Sequence, residues 1–176
     1  MKCEISQNTL RQPIRIQLFG KGWLNHQEAS CAALPNVFWP LVGLVATAAD
    51  QRISRTRLAG ELWPDHDELS ARHCLASALW RIRGALPDGA VLFTASNDWI
   101  ALARSNRLWV DAVAFDVRLK RALAAPERLA LPAERQRLAQ ALGLYRSAFL
   151  RECDHPWAGL QRERLRTLVG NLRLDS

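Results

Sequence analysis

The residues whose types and spacing could do chemistry lie between Ser70 and Leu86. Arg72, His73, Ala76, Ser77, Trp80 and Arg81 recur at helical spacing, and no Asp or Glu occurs anywhere in that run. A helix face of basic and small residues has one obvious chemistry. Arg guanidinium groups neutralise phosphate, Ser and His reach hydrogen-bonding groups on base edges, and a helix fits a major groove about 12 Å wide. Trp80 is equally suited to stacking on sugar-phosphate and to packing within the fold. Catalysis has no such support. The sequence contains no GxSxG, no Gly-rich phosphate loop and no HExxH. His66 sits in an acidic link between Asp65 and Asp67, with no metal motif around it, and none of the four His lies near a convincing nucleophile or carboxylate pair. Cys3, Cys31, Cys74 and Cys153 include no CxxC and read as buried or incidental thiols. The expectation is a protein that is not an enzyme, with no cofactor, no metal and no small-molecule substrate.

The chain that must position this face has 176 residues, 49% of them hydrophobic, which is enough to bury a core in one domain or two small ones. Its net charge of +7 is unevenly spread. Residues 1–50 carry 4 basic and 3 acidic groups, 51–111 carry 8 and 7, and 112–176 carry 12 and 7. The excess therefore lies in the last third, and a claim on an anionic partner must rest on local placement. The longest nearly apolar stretch, Val37 to Ala49, is shorter than the roughly 18 residues of a membrane span, and the N-terminus shows no apolar signal region. The expectation is a soluble, cytoplasmic chain.

Residues 1–13 read as a flexible arm. Ile14, Ile16 and Leu18 alternate with polar residues, as in a half-buried strand, and Gly20-Lys21-Gly22 turns the chain into a return strand at Trp23-Leu24. A short third strand before Pro35 is weakly signalled. Asn36 is an N-cap candidate for an almost wholly apolar helix to Ala49, with Pro40 in its first turn. Ser54 caps a helix from Arg55 to Trp63, ended by Pro64. The basic helix follows, Leu69 to Leu86, with Leu75, Leu79, Ile82 and Leu86 inward. Val91–Ala95 and Trp99–Leu102 read as a hairpin, and Trp109–Asp111 as a further strand. The remainder is helical: Val113–Ala124, then a Pro-bounded link from Pro126 to Pro132, then Ala133–Phe149. A last helix is capped by Asp154, with Trp157, Leu160, Leu165, Leu168 and Leu172 inward and Arg162, Arg164 and Arg166 forming an electropositive surface. Trp63 and Trp99 read as core aromatics. The fold class is α+β: a winged helix-turn-helix with an N-terminal sheet and a C-terminal hairpin wing over 14–111, followed by an all-α, tetratricopeptide-like segment over 112–176.

Within this order, Ser54-Arg55-x-x-Leu58-x-x-x-Leu62-Trp63-Pro64-Asp65 and Ala71-Arg72-His73-x-Leu75-x-x-Ala78-Leu79-x-Arg81-Ile82-Arg83-x-Ala85-Leu86 closely resemble the Streptomyces antibiotic regulatory protein family. Those regulators join an OmpR-type winged helix to a bacterial transcriptional activator domain. Asp111-x-x-x-Phe115, Leu144-Tyr145-Arg146-x-x-Phe149-Leu150 and Trp157-x-x-x-x-Arg162-x-Arg164-Leu165 resemble successive parts of the second domain. The resemblance spans roughly residues 14–176 and is most specific from Ser54 to Leu86. It implies a transcriptional activator, nucleoid-associated, that binds promoter DNA as a homodimer and recruits RNA polymerase.

By position, Arg72, His73, Ser77 and Arg81 match the groove-facing side of the family's recognition helix, with Trp80 and Arg83 beside them. Ser54 and Arg55 match a helix start near backbone phosphate. The hairpin departs from the family pattern. Thr94-Ala95-Ser96-Asn97-Asp98-Trp99 has no Arg and no Gly, so Ser96 and Asn97 offer only neutral contacts. The family's activator domain also continues through more helices. The segment 112–176 is therefore expected to be its N-terminal part, leaving Leu160, Leu165, Leu168, Leu172 and Leu174 partly uncovered unless further chain or a second copy buries them. The Arg-free hairpin and the nearly balanced charge of 51–111 favour a rival reading, a winged-helix protein–protein interaction module without specific DNA binding.

Overall fold

The computed structural model describes residues 13–25, 34–86 and 91–174. The arm up to residue 12, the weak strand before Pro35, Cys3 and Cys31 lie outside them. Strand β1 (Ile14–Gln17) pairs antiparallel with β2 (Trp23–Asn25), as the alternation and the glycine turn predict. Gly20 and Gly22 both hold positive φ in that turn, and a Cβ on Gly22 would strike the Trp39 ring. The other edge of β1 pairs in parallel with β6 (Leu108–Val110), giving the order β2-β1-β6. Local sequence gives no hint of that pairing, which joins residues more than ninety positions apart.

Helix α1 (Phe38–Thr47) is buried along almost its whole length, from Phe38 and Leu41 to Val45 and Ala46. It starts later than expected, and its cap is Val37 rather than Asn36. The reason is a turn closed by the Phe38 N–H onto the Pro35 carbonyl, which takes up Asn36 and leaves the Val37 carbonyl to accept from Leu41. Asp50 and Gln51, both left-handed, then swing the chain into β3 (Arg52–Ser54). Helices α2 (Arg55–Leu62) and α3 (Glu68–Ala85) follow, then β4 (Phe93–Ala95) and β5 (Trp99–Leu102). The second sheet is antiparallel throughout, in the order β3-β5-β4.

No linker separates β6 from α4 (Asp111–Ala124). The Asp111 side chain is buried, and its two oxygens accept the N–H groups of Leu18 at 2.8 Å and Phe19 at 3.1 Å, where β1 ends. A 3₁₀ turn, Pro126–Ala130, leads to α5 (Pro132–Leu142), and α6 (Pro156–Leu174) closes the described chain. Helix α5 ends seven residues before the predicted end at Phe149. Tight turns at Leu144, Tyr145 and Arg146 end it. The reason is tertiary: Phe149 bridges Phe19, and the Leu150 N–H donates to the Leu18 carbonyl, so this segment lies along β1's continuation and cannot be helical. Leu150 holds φ 41° there, a strained setting for a side chain that is fully buried. Helix α6 begins at Pro156, so the residue flanking it is His155, whose carbonyl accepts from Ala158, rather than Asp154.

One apolar core runs through all of this, from Ile16, Leu18 and Leu41 to Phe115, Leu119, Phe149, Leu165 and Val169. Phe19 stands at the junction, its ring edge-on to Phe115 at 5.4 Å and to Tyr145 at 5.2 Å. Of the leucines expected on the inner side of α6, Leu165 is buried and Leu168 and Leu172 are half-buried, but Leu160 is exposed, because a position five residues before Leu165 falls on the far side of the helix. Trp63 and Trp99 are both half-buried at the edge of their elements. Among the described residues, no helix is long and apolar enough to cross a membrane.

Candidate nucleic-acid interface

The basic helix is α3, and its position is fixed at its N-terminal end and from beneath. Asp67 caps it, accepting the Ser70 N–H at 3.0 Å and the Ser70 hydroxyl at 2.6 Å. The hydroxyl bond, then the amide bond, hold the Asp67 carboxyl below its ordinary value. Beneath, Ala71, Leu75, Ala78 and Ile82 are buried against the Leu58, Ala59 and Leu62 side of α2. The expected inward stripe therefore holds at Leu75, Ile82 and Leu86. Leu79 is only half-buried, and the small residues Ala71 and Ala78 carry the close approach instead.

The opposite half of α3 is exposed. It presents Arg72, His73, Ala76, Ser77, Trp80, Arg81 and Arg83 to solvent, with Trp80 at 75% exposure. Arg72 leans back toward Glu68 at 3.5 Å, a contact between two open side chains that leaves its charge available. Arg83 lies in the last turn, where a cation also complements the helix dipole. Leu69, absent from the expected face, stands on it at 82% exposure. It precedes His73, Ala76 and Trp80 by four, seven and eleven residues, a spacing that places all four on one line. That spacing was available in the sequence but is easily passed over when Leu69 is read only as the helix start.

The other predicted contact residues gather where α2 meets the β4–β5 hairpin, and most are engaged within the fold. Ser54 caps α2, its hydroxyl accepting the Arg57 N–H at 3.2 Å. The Arg55 N–H donates to the Asp98 carbonyl at 2.8 Å and its guanidinium to the Ser96 carbonyl at 3.2 Å. Ser96 in turn accepts from the N–H groups of Asp98 and Trp99, both at 3.2 Å, and Arg52 stacks 4.1 Å over the Trp99 ring. These bonds make the hairpin a stiff extension of the α2 start. They leave Asn97 as the exposed neutral residue beside Asp98 at its tip.

In the helical half, Arg162 is not part of an open cationic surface. Its guanidinium donates to the carbonyls of Leu150 at 2.8 Å, Cys153 at 3.1 Å and Phe149 at 3.4 Å, holding the strained segment in place. Arg166 pairs with Glu163 at 2.9 Å, and Arg164 is exposed. Cys74 and Cys153 are both free and half-buried. Among the described residues, no cluster of His, Cys, Asp and Glu could hold a metal ion. No protein-family model matches this chain, and no curated protein matches it significantly.

Proposed function

We propose that this chain is a DNA-binding transcriptional regulator of the Streptomyces antibiotic regulatory protein type. It has an OmpR-type winged helix over 14–111 and the N-terminal part of a bacterial transcriptional activator domain over 112–176. The observation that carries the reading is the outer half of α3. It is free of acidic residues from Ser70 onward, exposed along its length, and supported from behind by α2, to whose start the hairpin is bonded. In this reading α3 lies in the major groove. Arg72, Arg81 and Arg83 neutralise phosphates, and His73 and Ser77 meet base edges. The hairpin rests on the neighbouring backbone through Asn97, without inserting a charge. Ser54 and Arg55 act by fixing the hairpin to α2 rather than by reaching DNA. By the same resemblance the protein works in the cytoplasm on the nucleoid, as a homodimeric activator that recruits RNA polymerase.

A second reading, a protein–protein interaction module, is favoured by one feature of the same face. Leu69, in its first turn, and Trp80 expose large apolar surface along it. Binding to the chain's own upstream promoter and to scrambled DNA, followed by anisotropy across a salt series, separates the two. The regulator gives tighter binding to the promoter and a steep salt dependence on both. Replacing Arg81 with Ala weakens binding and lowers the salt slope by about one charge. Equal, weak binding to both DNAs would move the conclusion to the interaction module.

A further inference from the structure

We infer that the α4–α5 side of the molecule carries a binding site for a phosphate-bearing small anion. The inference rests on groups remote in sequence from α3 and does not depend on the DNA-binding reading. Its centre is Glu134, in the first turn of α5, a carboxylate only 11% exposed. A single oxygen of that carboxylate, Oε1, takes three guanidinium groups: Arg137 at 2.5 Å, Arg121 of α4 at 3.5 Å, and Arg128 of the 3₁₀ turn at 3.5 Å. One negative charge thus gathers three positive ones, and they repel one another once gathered.

Beside them opens a cleft of about 270 Å³, lined by Arg118, Arg121, Arg137 and Gln140 over an apolar floor of Ala122 and Leu138, with Glu134 as the single acidic group of the lining. Arg118 adds a cation there that is not among the Glu134 partners. Each guanidinium has five N–H donors in a planar fork, and one carboxylate oxygen cannot satisfy three forks. What remains is a set of positively charged donors around a cleft of small-molecule size, two of them, Arg121 and Arg137, held by a buried carboxylate. A phosphate or diphosphate group supplies the missing acceptors and the missing negative charge in one ligand. The group could be free or attached to a nucleoside.

The test is calorimetric titration of the full chain with inorganic pyrophosphate and, separately, a nucleoside diphosphate, at ionic strength held constant with sodium chloride. Saturable binding is expected. Arg118→Gln, which removes a cleft cation without unpairing Glu134, should weaken it about tenfold, the loss of roughly one charge-assisted hydrogen bond. Arg104→Gln, in the loop after β5 and away from the cleft, should leave it unchanged. Tighter binding of the nucleoside diphosphate would identify a nucleotide as the ligand, and equal binding would identify the phosphate group alone. The proposal is overturned if neither anion binds saturably. It also fails if Arg104→Gln weakens binding as much as Arg118→Gln, since diffuse screening would then account for it. Should only a scrambled duplex depend on Arg118, the cleft faces a nucleic-acid backbone and the small-anion site is wrong.

Discussion

Single residues do much of the joining in this molecule, and Asp111 is the clearest case. Its oxygens take the N–H groups of Leu18, Phe19 and Ala112, so β1, β6 and α4 meet on one buried carboxylate. Replacing it with Ala leaves two buried amides of the β1 end without acceptors, and should cost about 3 kcal/mol in urea unfolding. Burial pushes this carboxyl above its ordinary value, against the three amide bonds that favour the charge. A raised native value means that its titration contributes stability fully below the ordinary carboxylate value and loses it as pH rises through the native one. The stability gap between the wild type and Asp111→Ala should therefore narrow as pH is raised. A gap that widens would mean that the amide bonds outweigh desolvation. Asp67 works in the opposite sense. Its lowered value makes the α3 cap effective above the ordinary range and weakens it only as pH falls through the native value. Neither role was legible in the sequence at its true partner. Asp67 read as part of an acidic link, and Asp111 as the end of a strand, because the groups that each binds are set by a turn in one case and a distant strand in the other.

Elements with a local cause were read well, and elements with a tertiary cause were not. The Ser54 cap, the Pro64 stop, the exposed α3 face and the β5 strand each follow from residues within a few positions. The end of α5 does not: nothing in Ala133–Phe149 forbids a continuous helix, and it stops because Phe149 and Leu150 are needed beside β1. The same contact makes α1 sensitive at Gly43. A Cβ there would lie 2.7 Å from Leu150 Cδ1 and 2.9 Å from the Trp157 ring. Leu150 is anchored by its own backbone bond and by Arg162, so it has little room to yield. Gly43→Ala should lower stability by about 1–2 kcal/mol, with overpacking exceeding the gain of up to about 1 kcal/mol in helix propensity. A higher melting temperature in the variant would show that the α1–α6 contact is looser than the geometry implies.

At the scale of the whole molecule, the proposed division after Asp111 falls inside a continuous core rather than at a linker. Phe19 belongs to the first sheet's strand, yet its ring lies among Phe115, Tyr145 and Phe149. Trp157 of α6 packs on Phe149 and at Gly43 of the central helix. Two units that share a core to this extent should not unfold separately. Far-ultraviolet circular dichroism follows the helices of both halves. Tryptophan emission, with six of the seven tryptophans in the first half and Trp157 alone in the second, weights the first. The two thermal transitions should coincide, and Asp111→Ala should shift both together. Two resolved transitions would mean that the shared aromatic contacts are weak and that the halves move as independent bodies. Coincidence matters for the proposed function. With one cooperative unit, a ligand held between α4 and α5 and a face presented by α3 stand on the same rigid support, and binding at one can bias the other only by stabilising the whole fold or by shifting an equilibrium in which both take part. Thermal shifts measured with pyrophosphate, with promoter DNA and with both present would then combine in a single transition. Any excess over their separate effects measures the coupling between the two surfaces.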